Sequence, residues 1–168
     1  MTTRKKKDFC FSSILGNKII KQSQDKYSHV STNNHLGNKI VGLYFSSSWC
    51  PPCRTFTPAL IKFYKEYHLE HNFEIILIPY HETNDTEYYN YFKKMPWYSY
   101  SHTDISSITQ LVKYYKCVSV PSLIFIDNNG QVIHRIIDYQ EREKIIINPW
   151  LLPFFKKQNN SVSKKSKK

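Results

Sequence analysis

The chain has 168 residues, 40% hydrophobic and 15% aromatic, which is enough to bury one core and predicts a single domain. Its formal net charge of +11 would suit a nucleic-acid binder until the charges are located. Residues 1–7 carry four basic groups and residues 156–168 six, with no acid in either segment, so 14 basic and 13 acidic groups leave the body at +1. That distribution argues against a specific nucleic-acid surface on the body, and no apolar stretch is long enough to span a membrane.

Residues 1–10 read as a basic flexible arm with no apolar run of a secretory leader behind it, and Cys10 as a free thiol within it. In residues 14–20 and 36–40 a Gly-Asn pair sits among apolar residues, so each reads as a turn feeding a strand. Residues 40–45, Ile-Val-Gly-Leu-Tyr-Phe, have the composition of a strand buried on both faces, and Ser46-Ser47-Ser48 ends it. From Pro51 onward Leu60, Phe63, Tyr64 and Tyr67 recur at helical spacing. Proline is tolerated in that first turn, and Pro58 is expected to kink the helix.

Residues 73–78 form the next strand, Asp85 is placed to cap a helix running to Lys94, and Met95-Pro96-Trp97 stops it. Thr103 or Asp104 caps a further helix with Ile105, Ile108, Leu111, Val112 and Tyr115 on one face. Cys117 reads as a buried small hydrophobe. Residues 123–126 are a strand leading through Asp127-Asn128-Asn129-Gly130 into a second apolar run, a hairpin signal. The folded domain is expected over 11–155. Residues 156–168 read as a disordered lysine-rich tail, which serves solubility or acts as an address to the nucleus or an anionic surface.

The chemistry gathers at Trp49-Cys50-Pro51-Pro52-Cys53-Arg54. Two cysteines two residues apart serve as a redox dithiol, half a zinc site or a structural staple. Cys10 and Cys117 are isolated and the seven histidines show no ligand spacing, so no metal is expected, and the N-terminus Met-Thr-Thr-Arg-Lys-Lys-Lys-Asp, with no apolar run behind it, argues against the staple of a secreted, cysteine-dense chain. A redox pair between a strand and a helix is what remains. The helix dipole and free amides of the first turn favour the thiolate of Cys50, below the ~8.5 of a free thiol, making it the nucleophile; Cys53, one turn deeper, is the resolving thiol. Pro51 and Pro52 have no N–H, so the Cys50 sulfur depends on Cys53 for donors.

The order of these motifs resembles the thioredoxin superfamily, most closely its tryparedoxin and nucleoredoxin group. The resemblance rests on residues 46–54 with Phe56-Thr57-Pro58, on Lys94-Met95-Pro96-Trp97 and on Val118-Ser119-Val120-Pro121-Ser122-Leu123, and spans about residues 12–150. It implies an α/β thioredoxin fold: a central mixed β-sheet flanked by helices on both faces, with an N-terminal β-hairpin. It further implies a cis Val120-Pro121 bond beside the dithiol, with the Val120 backbone open to pair with an extended substrate. Thioredoxins keep a buried aspartate where this chain has Tyr44, so the acceptor of the Cys53 proton lies elsewhere. Glu82, after the next strand, is the candidate relay, and a plain surface carboxylate is the alternative. The neighbouring Tyr80 and His81 depart from the group's Trp and Asp.

Trp49 and Trp97 are expected to flank the site as a substrate platform, with Trp97 equally suited to the core, and Arg54 to steer an anionic partner or sit idle on the surface. Together these features imply a monomeric cytoplasmic thiol-disulfide oxidoreductase with no cofactor beyond the Cys50–Cys53 disulfide. It would reduce protein disulfides, for example of an oxidised peroxiredoxin, and be re-reduced by a low-molecular-weight dithiol, glutathione or a reductase. The alternative is a nucleoredoxin-type protein whose disulfide state switches partner binding.

Overall fold

The computed structural model describes residues 9–155. Most of the basic arm and the whole lysine-rich tail therefore lie outside the described residues. In chain order the elements are α1 (Ser12–Leu15), β1 (Lys18–Ser23), β2 (Lys26–Ser31), α2 (Thr32–Leu36), β3 (Ile40–Ser46), α3 (Pro51–Tyr67), β4 (Phe73–Pro79), α4 (Asp85–Phe92), β5 (Tyr98–Ser99), α5 (Ile105–Tyr114), β6 (Ser122–Ile126), β7 (Val132–Ile136) and α6 (Tyr139–Ile147). The strands form one mixed sheet ordered β2-β1-β5-β4-β3-β6-β7. β3, β4 and β5 run parallel, β6 and β7 are antiparallel, and β1–β2 is the N-terminal hairpin.

The two central strands read as unbroken apolar runs because both faces are covered. On one face Tyr44, Ile75, Leu77, Leu123 and Phe125 pack with residues of α3, α4 and α6; on the other Val41, Leu43, Phe45, Ile76, Ile124 and Ile126 pack with α1, α2 and α5. The register sets the position of the site. Ser46 pairs with Pro79, and Phe45 lies opposite Ser122. The chain leaving β3, the chain leaving β4 and the chain entering β6 therefore meet at one end of the sheet, where open α/β sheets place their sites.

Some boundaries differ from the sequence reading. Asn84 rather than Asp85 is the N-cap of α4, its side chain accepting from the Glu87 amide at 3.0 Å, and the helix ends at Phe92, two residues short of Lys94. Asp104 caps α5 through the Ser107 amide at 3.2 Å. The expected hairpin is present as β6–β7; in its turn Asp127 accepts from the Asn129 and Gln131 amides, and the register slips between Phe125 and Ile126. Gly130, at φ 77°, presses the ring of Phe9, which stands 2.5 Å from where a Cβ would lie. Phe9 and Cys10 thus belong to the ordered body rather than the arm. α3 continues as one helix through Pro58.

Candidate active site

Cys50 is the N-cap of α3. Its backbone is extended (φ −86°, ψ 112°), its sulfur accepts from the Cys53 amide at 3.3 Å, and Pro51 and Pro52 fill the first turn, where N–H groups lack intrahelical acceptors anyway. The three-residue separation across that turn brings the sulfurs together: Cys50 and Cys53 form a disulfide with their Cα atoms 5.3 Å apart. Cys50 is 3% exposed and Cys53 fully buried, so of the two residues only Cys50 touches the surface. The Cys50 sulfur lies 3.8 Å from the carbonyl oxygen of Val120, and the Val120–Pro121 bond is cis. Pro51 and Pro52 are exposed beside it.

The segment before the cysteines is clamped to the segment after β4. The Tyr80 amide donates to the Ser46 carbonyl at 2.9 Å, and the Ser47 hydroxyl returns a bond to the Tyr80 carbonyl. Both the amide and the hydroxyl of Ser48, the latter at 2.8 Å, donate to the Glu82 carboxylate. The Trp49 indole donates to the His81 carbonyl at 3.2 Å, which leaves the ring half exposed over the site. Glu82 is 6% exposed, so it is not a decoration on a surface loop; it fixes the turn that delivers Trp49 and Cys50.

Trp97 requires a correction as a substrate platform. It is 2% exposed and packs edge-on against Tyr44 and Tyr64, with ring centroids 6.1 and 5.4 Å away, so no partner can reach it. Arg54 is exposed on α3, its amide donating to the Cys50 carbonyl at 3.1 Å. Cys117 is buried, its sulfur 3.3 Å from the Ser119 carbonyl, and burial pushes its thiol pKa up. Among the described residues no group of three or more His, Cys, Asp or Glu side chains could hold a metal ion.

Beneath Cys53 lies a feature the sequence reading missed. The Thr57 hydroxyl donates to the Cys53 carbonyl at 2.8 Å, so its oxygen must accept from its two other neighbours, the hydroxyls of Tyr44 at 2.9 Å and Tyr91 at 2.7 Å. Tyr91 in turn accepts from the Ser46 hydroxyl at 2.7 Å. The four hydroxyls form a buried, directed network where a carboxylate is absent, and burial raises the pKa of both phenols, keeping them neutral. The sequence pattern places Tyr91 within the helix that runs to Lys94 and assigns it no role. A buried tyrosine needs a partner for its hydroxyl, which is the signal that could have exposed it.

A mixed sheet with a disulfide in the first turn of the helix after its central strand, facing a cis-proline loop, defines a thioredoxin fold with a redox-active cysteine pair. The Thioredoxin-like family model matches residues 37–132. Tryparedoxin of Trypanosoma brucei brucei is 40% identical over 124 residues, 74% of this chain and 83% of that protein. Nucleoredoxin of Homo sapiens is 38% identical over 104 residues, which cover 61% of this chain and 24% of that protein. The solved structure of tryparedoxin II complexed with glutathionylspermidine matches with a TM-score of 0.71 at 30% identity, covering 82% of this chain and 90% of that one. The chain belongs to the thioredoxin-like family, with tryparedoxins and nucleoredoxins as relatives, and its Cys50–Cys53 pair marks it as a thiol-disulfide oxidoreductase.

Proposed function

We propose that the protein is a protein-disulfide reductase, acting as a cytoplasmic monomer, with oxidised peroxiredoxins among its clients. The observation that carries this reading is the asymmetry of the pair: Cys50 is the N-cap of α3, its sulfur accepting from the Cys53 amide, and Cys53 lies fully buried within the helix. In the reduced protein the Cys50 thiolate attacks one client sulfur, forming a mixed disulfide and releasing the other sulfur as thiolate. Cys53 then loses its proton and attacks the Cys50 sulfur, which re-forms the Cys50–Cys53 disulfide and releases the client as a dithiol. Two electrons pass to the client, and a low-molecular-weight dithiol, glutathione or a reductase restores them. The presence of glutathionylspermidine on a tryparedoxin neighbour supports a small-thiol donor.

In this cycle Glu82 takes the Cys53 proton, directly or through water, from the place where Ser48 holds it. Trp49, Pro51 and Pro52 bear on the client, the Val120 backbone pairs with its extended chain, and Arg54 steers anionic partners. No cofactor is required beyond the cysteine pair.

The decisive assay is insulin reduction with dithiothreitol as donor. Cys50→Ser abolishes catalysis, and Cys53→Ser accumulates mixed disulfides through Cys50 that identify the clients. Catalysis that survives Cys50→Ser overturns Cys50 as the nucleophile, and a wild type that reduces no insulin overturns the reading and leaves a redox-switched binding protein. Glu82→Gln lowers turnover and alters its pH profile; an unchanged profile reduces Glu82 to the clamp on Ser48.

A further inference from the structure

Beside the dithiol a groove with about 620 Å³ of open space runs between α3 and α6. Pro51, Pro52, Thr55 and Ala59 line one wall, Tyr139 and Ile147 the other. Tyr139 and Ile147 are 62% and 81% exposed, an apolar surface that a soluble domain has no internal reason to keep. The two prolines between the cysteines are thus at once part of the redox turn and the head of the groove.

Its charges do not call for a charged ligand. Arg142 on α6 also lines it, but its guanidinium donates to the Pro121 carbonyl at 2.8 Å and to the Ile137 carbonyl at 3.3 Å and stands 5.9 Å from the centre of the Phe56 ring. Arg142 therefore ties α6 to the cis-proline loop. The remaining charge, Glu143, is of opposite sign. The protein's own ends do not suit it either: residues 1–8 hold one apolar side chain, Met1, and residues 156–168 one, Val162.

We infer that the groove receives the client polypeptide itself, seating a bulky apolar side chain a few residues from the attacked cysteine. This rests on the disulfide-reductase reading and names the substrate class it prefers. A chain bonded through sulfur to Cys50 and leaving over Pro51 follows the groove. From Pro51 to Ala59 the helix rises about 12 Å, which extended chain covers in roughly three to four residues. A small disulfide ends before it arrives, so the groove separates protein clients from small thiols.

The test compares two peptide disulfides that differ only in carrying Leu-Trp or Ser-Ser at the third and fourth residues from the cysteine, on either side. The wild type reduces the apolar peptide with kcat/KM about tenfold higher, the return expected for partly burying such a side chain. Ile147→Glu and, independently, Thr55→Glu, both at exposed positions, collapse that ratio to near one through KM. Because each ratio is taken on one protein, a change in thiol chemistry cancels. Equal rates in the wild type, or a ratio both variants retain, overturn the groove while leaving the reductase reading intact. Failure of the wild type on both peptides and on insulin overturns that reading instead. A dimer in sedimentation that Ile147→Glu dissociates assigns the groove to a second copy and overturns the client assignment.

Discussion

The two faces of the sheet are built from different materials. Behind β3, the α1, α2 and α5 face is mostly aliphatic: Leu15, Leu36, Val41, Leu43, Ile76, Ile108, Leu111 and Ile124. In front, the α3, α4 and α6 face is crowded with rings, among them Tyr44, Phe56, Phe63, Tyr64, Tyr88, Tyr91, Phe92 and Trp97, several with hydroxyls engaged inside the core. One face has only to hold the sheet; the other must hold it and present a sulfur whose chemistry depends on nearby dipoles. Hydroxyls meet both demands, since they pack as neutral groups yet orient hydrogen bonds.

The contrast is broken most severely from behind. Leu43→Ala removes a fully buried side chain and costs about 2–5 kcal/mol of stability. The reduction potential of Cys50–Cys53 stays at its wild-type value, because nothing at Leu43 reaches the first turn of α3. Denaturant unfolding gives the first quantity and equilibration against a dithiol buffer the second. A potential that moves with Leu43 erases the division of labour between the faces.

Tyr91→Phe has the converse signature. It strands the Ser46 hydroxyl and removes a donor to Thr57, for about 1–3 kcal/mol of stability. Thr57 orients the Cys53 carbonyl, so loosening it weights the two redox states unequally. A difference of ~1 kcal/mol between them appears as ~20 mV for a two-electron couple. Thr57→Val, which removes the hub, moves the potential in the same direction. An unshifted potential in both variants makes the network packing only.

How far these faces could be read in advance differs by element. β3, β4 and β6 were legible because a strand buried on both sides must be a run of apolar residues, and Cys50–Cys53 because strand, prolines and helix frame it locally. α6 was not. Its residues 139–147 bunch charge first and Ile145-Ile146-Ile147 last, giving no clear stripe, and only Asp138 with Glu141 three residues on signalled a cap. Glu82 could not be assigned to Ser48 from sequence, since 34 residues separate them and only the parallel register of β3 and β4 brings their trailing loops together. Trp97 was undecidable for the same reason: burial is a property of what folds over a residue.

A milder probe uses pH. His71 lies under the C-terminal segment, stacked on Phe155 at 3.7 Å and edge-on to Trp150, with neither ring nitrogen hydrogen-bonded. Burial lowers its pKa from 6.5, and His134 on β7 shifts the same way. The unfolded chain then binds more protons than the native one as pH falls below 6.5, so stability is complete above that value and declines beneath it toward the folded pKa. Facing His71, Glu70 opposes the shift, its carboxylate 4.0 Å away. Melting temperatures at pH 7.5 and 5.5 differ in the wild type, and His71→Phe narrows the gap. A gap unchanged in that variant assigns the pH response to His134.

The smallest effects come from paired helix caps, one on each face. Asn84 accepts from the Glu87 amide at the start of α4, and Asp104 from the Ser107 amide at the start of α5. Replacing Asn84 by alanine costs about 1 kcal/mol; Asp104→Ala costs more, because Asp104 also accepts from the Tyr100 hydroxyl at 2.7 Å, so the two are compared at conditions of equal folded fraction. They part company at the dithiol. Asn84 ends the loop that carries Glu82 and begins the helix that carries Tyr91, so its loss disturbs both the clamp on Ser48 and the network under Cys53. Asp104 leads into the opposite face, through Ile108, Leu111 and the Tyr100 hydroxyl it accepts from. Asn84→Ala therefore slows disulfide reduction at matched stability while Asp104→Ala does not, and equal rates in the two variants would show that the site is as well insulated from α4 as from α5.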